Sequence, residues 1–184
     1  MRLFVAIPLP EDLRARLARL EEGLPGARWV APENLHLTLR FIGEVDGRQA
    51  GDIDAALSQV RAERFAVTLA GVDRFGSGGK ARTLWVGVEA NPDLVRLHAK
   101  IEQALQRAGL APERRKFKPH VTLARFNGNP GGRLYAYLSR NALLRSEPFV
   151  AEEFVLYSSF LSQAGAIHSP EAVYPLVRPV AGAP

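Results

Sequence analysis

Hydrophobic and polar positions along the chain follow strand-like and helix-like periods in turn, and glycine or proline separates most of these segments. The runs with a strand-like pattern are 3–8, 35–41, 65–73, 83–89, 120–126, 149–161 and the tail 172–180. Helix-like spacing of apolar positions occurs in the ranges 11–24, 53–60, 91–108 and 134–144. Pro175 and Pro179 cannot donate to the ladder of a central strand, so the tail is predicted to be an edge strand. This mixture of elements predicts an α+β protein.

The same succession of strand, helix, loop and strand occurs twice along the chain. The segment FVAIPLPEDLRARLARLEEGL aligns with LWVGVEANPDLVRLHAKIEQAL, and HLTLRF aligns with HVTLARF, at an offset of about 80 residues. An internal duplication is the most economical explanation, and two long copies are too few for a solenoid. The pattern therefore predicts one domain of two lobes related by a pseudo-twofold axis, with repeat-like halves at about 1–80 and 81–184.

Each copy of the repeat contains one His-x-Thr motif, with His36 and Thr38 in the first and His120 and Thr122 in the second. Side chains on a strand alternate between its two faces, so the histidine and the threonine of each motif share a face. The intervening apolar residues point into the opposite layer. If the two lobes face each other, two imidazoles and two hydroxyls converge on one cleft.

This set of side chains suits an in-line displacement at phosphorus. Two histidines that titrate near neutral pH can act as base and acid in one turnover, and hydroxyls can donate hydrogen bonds to the non-bridging phosphate oxygens. The mechanism requires no metal and no cofactor. A zinc site is the competing interpretation, but it needs a third ligand, and no acidic residue or further histidine lies at matching spacing on either motif strand.

Composition narrows the classes of protein that remain. The 184 residues suit one domain, and the absence of cysteine excludes a disulfide scaffold, a thiolate nucleophile and a cysteine zinc site. No apolar run is long enough to span a membrane and the N-terminus lacks a signal peptide, so a soluble cytoplasmic protein is expected. The net charge is +5, and 20 of the 24 basic residues are arginine. This balance is compatible with a nucleic-acid partner, and a biased genome would produce it equally well.

The paired motifs resemble those of the 2H phosphoesterase superfamily, and most closely those of the RNA 2′,3′-cyclic phosphodiesterase family, also named 2′-5′ RNA ligase. The resemblance rests on FVAIPLPEDL, WVAPENLHLTLRFIGEV and FKPHVTLAR, and it extends from residue 3 to about residue 176. It implies a bilobal α+β fold with an antiparallel-type sheet in each lobe, outer helices and a central cleft.

The resemblance also implies an activity: hydrolysis of RNA 2′,3′-cyclic phosphate ends, such as those of tRNA fragments, to 2′-phosphates, with a weak and reversible 2′-5′ ligation. The residues that match the catalytic positions of the family are His36, Thr38, His120 and Thr122. In one assignment His120 activates the water and His36 protonates the departing 3′-oxygen. The near symmetry of the two motifs leaves the reverse assignment open.

Residues close to the motifs are further candidates for substrate binding. The family often has an arginine at the position of Arg125, but on a regular strand this residue faces away from the motif, so a bulge is needed to bring it to the phosphate. Arg40 is an even step from the first motif and is a second phosphate candidate. Phe41 and Phe126 end the motif strands, where each either stacks on a base or packs in the core. Trp29 either lines the cleft or is buried.

Other features carry weaker functional hypotheses. The basic run of Arg114, Arg115, Lys116 and Lys118 either contacts an RNA backbone or is simply solvated, and the glycine-rich loop 74–82 is a candidate lid. His98 falls on the apolar side of its helix, and His168 falls in a predicted loop, 165–170, outside the expected site.

Two other functions remain open at this stage. One is a cyclic phosphodiesterase for a small nucleotide, and the other is a protein that binds RNA ends with incidental catalysis. The two titratable histidines argue against a pure binder, because binding alone does not need them. A monomer is expected, since both halves of the site lie in one chain.

Overall fold

A computed structural model describes residues 1–163 and 165–178 as ten strands and four α-helices. The strands are β1 (Arg2–Pro8), β2 (Ala27–Trp29), β3 (His36–Glu44), β4 (Phe65–Val67), β5 (Leu69–Phe75), β6 (Thr83–Val88), β7 (His120–Phe126), β8 (Phe149–Ala151), β9 (Glu153–Ser162) and β10 (Gly165–Pro175). The helices are α1 (Glu11–Ala18), α2 (Gly47–Leu57), α3 (Pro92–Arg107) and α4 (Gly132–Asn141). In the part of the chain that is described, no helix is both long and apolar enough to cross a membrane.

One antiparallel sheet runs through the molecule in the order β10-β9-β1-β3-β7-β6-β5, and β2 pairs with β7 beside this path. A separate two-stranded sheet is formed by β4 and β8. The two motif strands, β3 and β7, meet at a single register pair, Leu37 with Val121. This narrow junction divides the large sheet into two halves, and the α+β class and the antiparallel sheets expected from the sequence are confirmed.

Strands of the two sequence repeats are exchanged between the halves of the sheet. The half that contains β3 also contains β9 and β10 from the end of the chain, whereas the half that contains β7 takes β2 and β5 from the beginning. Two runs that the sequence predicted as single strands, 65–73 and 149–161, are broken at Thr68 and Glu152, so that β4 and β8 form the separate sheet while β5 and β9 join the large one. That prediction was wrong because the alternation of apolar residues reports which face a side chain occupies and not which strand it pairs with.

The helices pack against the large sheet through their apolar faces. In α2 and α3 the fully buried side chains include Ile53, Leu57, Leu97 and Ile101, all in the same core cluster as the apolar residues of β3 and β7. Side-chain caps begin both helices, with Asp46 accepting from the Gln49 amide of α2 and Asn91 accepting from the Leu94 amide of α3.

The helix α4 is tied to the β7 half by Tyr137. Its hydroxyl donates to the Leu20 carbonyl at 2.9 Å, and its ring lies edge-on to Trp29 on β2. Burial of these apolar faces supplies the main stabilisation, about 25 cal/mol for each Å² removed from water.

The last strand begins earlier and ends earlier than the sequence predicted, so the predicted residues 176–178 lie outside it. β10 pairs with β9 from Gly165 to Pro175 and lies at the edge of the sheet, so the predicted edge position is confirmed. The predicted loop 165–170 is wrong, because these residues belong to the strand and an irregularity after Pro170 accommodates the proline. The predicted residues 179–180 lie outside the described residues.

Candidate active site

The two His-x-Thr motifs meet where β3 and β7 join. The side chains of His36, Thr38, His120 and Thr122 are all partly buried, while Leu37 and Val121 at the junction are fully buried in the core. Because the strands are antiparallel, His36 lies on the Thr122 side of the junction, and Thr38 lies on the His120 side. The face of the sheet that carries these four side chains is called the site face below.

Both imidazoles are held in the same way by the backbone. Nδ1 of His36 lies 2.6 Å from the carbonyl oxygen of Asn34, and Nδ1 of His120 lies 2.7 Å from the carbonyl oxygen of Lys118. A carbonyl oxygen only accepts hydrogen bonds, so Nδ1 is the protonated nitrogen and donates in each ring. Nε2 is therefore the nitrogen left to accept a proton from a substrate or to deliver one to it.

The surroundings of His36 favour the neutral imidazole. Burial lowers the pKa of His36 from 6.5 to about 4, and the hydrogen bond to the Asn34 carbonyl opposes this shift. Repulsion from protonated His168, from Arg125 and from protonated His120 lowers the pKa further. All three groups therefore lie close enough to His36 to influence its charge. Side chains of both motif strands are thus close together at this site.

The surroundings of His120 act in the same direction. Burial lowers the pKa of His120, the hydrogen bond to the Lys118 carbonyl raises it, and the charges of Arg125 and Lys118 lower it again. Both imidazoles are consequently neutral at pH 7 in the free protein. An anion bound between them favours protonation of one ring, because an opposite charge stabilises the charged form.

A bulge in β7 turns Arg125 towards the motif. Thr122 is opposite Trp85 and Arg125 is opposite Thr83, although Arg125 lies three positions after Thr122 and Thr83 only two positions before Trp85. Leu123 and Ala124 are both buried at the irregularity, and the exposed Arg125 then returns to the site face. The bulge that the sequence analysis required for this residue is present.

The equivalent bulge in β3 reverses the predicted positions of Arg40 and Phe41. Thr38 is opposite Ala6 and Arg40 is opposite Val5, so Arg40 turns to the helix layer, where it forms an ion pair with Glu102 of α3. The prediction that Arg40 shares a face with Thr38 was wrong because the bulge shifts the alternation by one residue.

Phe41 moves to the site face through the same bulge. It is 49% exposed, and its ring centroid lies 6.1 Å from that of Phe4. In the aligned motifs Phe41 occupies the place that Arg125 has in β7. The two bulges thus present an aromatic ring from one motif strand and a guanidinium from the other.

Aromatic rings surround His36. The ring of Phe4 lies 4.8 Å from the imidazole, and Tyr157 stacks on Phe4 at 5.2 Å. His168 lies 5.3 Å from His36 in an edge-on arrangement and 4.9 Å from Phe4. The apolar contacts explain why this imidazole is so strongly desolvated.

A second aromatic group lies beside His120 and carries a cation. The rings of Phe75 and Trp85 lie 4.9 and 5.9 Å from the imidazole. Nζ of Lys118 lies 4.5 Å from the centroid of Trp85 and 5.6 Å from that of Phe75, at cation–π distance. The two halves of the site therefore differ, with a neutral aromatic group around His36 and a cationic one around His120.

The remaining candidates lie away from the motif side chains. Trp29 faces the helix layer, where its Nε1 donates to the Glu22 carbonyl at 3.1 Å, and Phe126 is buried in the core. His98 stacks on Phe117 at 3.8 Å beside α3, in agreement with the predicted position at the edge of the core.

The residues of the predicted basic run have different surroundings. Arg115 pairs with Glu113, and Lys118 packs over the aromatic rings of the site, while Arg114 and Lys116 are exposed. Lys80 and Arg82 of the candidate lid are also exposed.

Sequence reasoning missed His168, Phe4 and Tyr157. None of them belongs to a motif, and their approach to His36 depends on the pairing of β1 with β9 and of β9 with β10. The register places Phe4 of β1 opposite Tyr157 of β9. The next pair on the same face is Ser159 of β9 with His168 of β10. Strand pairing between the two ends of the chain cannot be read from local periodicity. Among the described residues, no group of three or more histidine, aspartate or glutamate side chains is placed to hold a metal ion.

Comparisons with solved structures agree with this fold. A crystal structure of a Thermus thermophilus protein has a TM-score of 0.80 at 29% identity and covers 97% of this chain and 99% of that chain. A crystal structure of Escherichia coli LigT complexed with 3′-AMP has a TM-score of 0.79 at 25% identity and covers 96% and 98% of the two chains.

Comparisons of sequence indicate the family. A Thermotoga maritima protein named RNA 2′,3′-cyclic phosphodiesterase is 32% identical over 174 residues, 91% of each chain. A protein of the same name from Aeropyrum pernix is 42% identical over 119 residues, which are 61% of this chain and 67% of that protein. The family model of the 2′-5′ RNA ligase superfamily matches residues 9–159, a range that includes both motifs. Because this family model matches most of the chain, and because the Thermotoga maritima relative aligns over 91% of each chain, this chain belongs to the 2′-5′ RNA ligase superfamily.

Proposed function

We propose that this chain hydrolyses 2′,3′-cyclic phosphate ends of RNA to 2′-phosphates. The observation that carries the proposal is the meeting of two backbone-anchored imidazoles and two threonines at one junction of the sheet. The relatives named RNA 2′,3′-cyclic phosphodiesterase support the same reaction class.

In this reaction water attacks the phosphorus atom and the bond from phosphorus to the 3′-oxygen breaks. We assign His120 to remove a proton from the water at Nε2 and His36 to deliver a proton to the departing 3′-oxygen. The product has a 2′-phosphate and a free 3′-hydroxyl, and one proton has passed from one imidazole to the other. The bound phosphate anion favours the charged form of His36, which is needed for the second transfer.

The other side chains of the site face bind the substrate in this proposal. Thr38, Thr122 and Arg125 donate hydrogen bonds to the non-bridging oxygens, where negative charge increases as the water attacks. Phe41 stacks on the terminal base, since it is exposed on the site face and an aromatic ring accepts any base. If the hydroxyl of a second RNA end replaces the water, the same site forms a 2′-5′ linkage, and the reverse of that step cleaves it.

The first test is an assay with an oligoribonucleotide that ends in a 2′,3′-cyclic phosphate, in the presence of EDTA. We expect conversion to the 2′-phosphate, and a loss of about 10²–10⁴-fold in His36→Ala and in His120→Ala. His98→Gln is the matched control, because it also removes a histidine but lies outside the site face. Full turnover in both site variants would falsify the proposal.

The same variants test the assignment of acid and base. A substrate with sulfur in place of the 3′-oxygen has a leaving group that needs no proton, so it should restore turnover to His36→Ala and not to His120→Ala. Restoration in His120→Ala alone would reverse the assignment. Turnover of mononucleotides but not of RNA ends would indicate a small cyclic nucleotide as the substrate, and tight RNA binding without turnover would indicate a binding protein.

A further inference from the structure

A second arginine lies beside Arg125 on the site face. The short strand β2 pairs only with β7, with Arg28 directly opposite Arg125. On either side of Arg28, Ala27 is opposite Phe126 and Trp29 is opposite Ala124. Phe126 and Ala124 are buried, so this side of β2 faces the helix layer. Arg28 therefore points the other way, and directly opposed residues of an antiparallel pair share a face. Both arginines are exposed.

The pairing of these two arginines is electrostatically unfavourable in the protein alone. Directly opposed residues have Cβ atoms about 4.5–5.5 Å apart, and like charges at that distance destabilise a strand pair. Within the described ranges neither guanidinium forms an ion pair with a carboxylate, whereas Arg40, Arg64, Arg140 and Arg145 each do. An anion bound between Arg28 and Arg125 would remove the repulsion, and guanidinium groups bind phosphate oxygens with two parallel hydrogen bonds.

Along β7 the arginine pair lies near Thr122, which contacts the reacting phosphate in the function proposed above. On β6 the partners of Thr122 and Arg125 are Trp85 and Thr83, which are two residues apart. Two residues of a strand span about 7 Å. Neighbouring phosphates of an extended RNA strand have a similar separation, so a chain whose cyclic phosphate lies at the histidines can place its next phosphate at the arginine pair.

We propose that Arg28 and Arg125 bind the phosphate on the 5′ side of the terminal nucleotide, an inference that rests on the function proposed above. Arg125 lies between the two phosphates and contacts both of them. Arg28 contacts only the second. The site therefore discriminates between a nucleotide at the end of an RNA chain and a free nucleoside 2′,3′-cyclic phosphate, which has no second phosphate.

The test compares adenosine 2′,3′-cyclic phosphate with the same compound carrying a 5′-phosphate. In the unmodified protein kcat/KM should be higher for the 5′-phosphorylated substrate. In Arg28→Ala this preference should fall by about tenfold, because a charge-assisted contact to the second phosphate is lost. Arg28→Lys should keep part of it, since the charge remains but the planar fork is lost. The matched control is Arg48→Ala, which removes an exposed arginine from α2 and should keep the full preference.

Each alternative result has a defined meaning. No preference in the unmodified protein, or the same preference in Arg28→Ala, overturns the proposed subsite. If neither mononucleotide is turned over, the oligoribonucleotide assay decides the proposed function separately, and calorimetry tests the subsite by comparing binding of adenosine 2′,5′-bisphosphate with binding of adenosine 2′-phosphate. Tighter binding of the bisphosphate that is lost in Arg28→Ala still supports the subsite, and equal binding of the two overturns it.

Discussion

At the level of single residues, the environment of the two imidazoles sets their charge. Each ring donates from Nδ1 to a carbonyl two residues earlier in the chain, and each has a pKa below the usual value because of burial. The motif predicted the two histidines and their shared face. It did not predict the Nδ1 partners, because these depend on the irregular segments that precede β3 and β7 rather than on the alternation within the strands.

The pH dependence of kcat/KM follows from these shifts. In the proposed mechanism the active free protein needs one imidazole protonated and the other neutral. Protonation of either ring is favoured only below pH 6.5, since both pKa values are lowered. The fraction with a protonated acid therefore decreases as the pH rises above 6.5. We expect kcat/KM to fall about tenfold per pH unit from pH 7 to pH 8, as measured from initial rates at low substrate concentration.

The pH profile of kcat should differ from that of kcat/KM. The bound phosphate anion raises the pKa of the acid, so the alkaline decline of kcat should begin at a higher pH. A kcat/KM that is constant between pH 6 and pH 8 would show that the imidazole acting as the acid does not have a lowered pKa in the free protein.

At the level of secondary-structure elements, the bulges decide which residues reach the site. In β3 the bulge directs Phe41 to the site face and Arg40 to the helix layer. The Arg40 guanidinium there donates to the carbonyls of Phe41 and Ala111 at 2.6 and 2.7 Å and pairs with Glu102. It therefore connects the motif strand to α3 and to the segment that leads towards His120.

Removal of Arg40 should destabilise the protein strongly. The side chains of Arg40 and Glu102 are only 10% and 13% exposed, so Arg40→Met leaves a poorly solvated carboxylate without its partner. We expect a loss of about 3 kcal/mol in the free energy of unfolding, measured by urea denaturation. Arg96→Met is the control, because its ion pair with Asp93 is exposed and its loss should cost about 0.5 kcal/mol or less. The double variant Arg40→Met/Glu102→Leu should be more stable than Arg40→Met, and an equal stability of Arg40→Met and Arg96→Met would contradict this interpretation.

The elements also show what periodicity can and cannot predict. Strands β1, β3, β6 and β7 and helices α3 and α4 were predicted within a few residues, because each contributes a regular apolar face to one core. The bounds of α1 and α2 were each wrong by six residues at one end, since α1 ends at Ala18 and α2 begins at Gly47. The breaks at Thr68 and Glu152 and the bulges were not located, because each is defined by a partner strand. The consequence for the site was specific: Arg40 was assigned to the wrong face.

At the level of the whole molecule, the two copies predicted from the sequence do not coincide with the two halves of the sheet, because strands are exchanged between the halves. The half with β1 and β3 is completed by β9 and β10, and the half with β6 and β7 is completed by β2 and β5. The sequence predicted two related copies, but not their exchange. A duplicated pattern shows that the elements are repeated, whereas long-range pairing determines how they assemble.

Separation of the two sequence halves therefore tests this arrangement. The fragment 1–80 has β1 and β3 without β9 and β10, and β5 without β6, so it leaves unpaired edges and apolar residues that the intact chain buries. We expect each of the fragments 1–80 and 81–184 to lack a cooperative thermal transition by circular dichroism. A mixture of the two should recover the transition and part of the activity, because the strands that each fragment lacks are supplied by the other. Cleavage of the intact protein in the 76–82 loop, as a control, should leave the halves associated. A cooperative transition in fragment 1–80 alone would mean that each repeat folds independently, and the exchanged strands would then contribute little to the stability of the sheet.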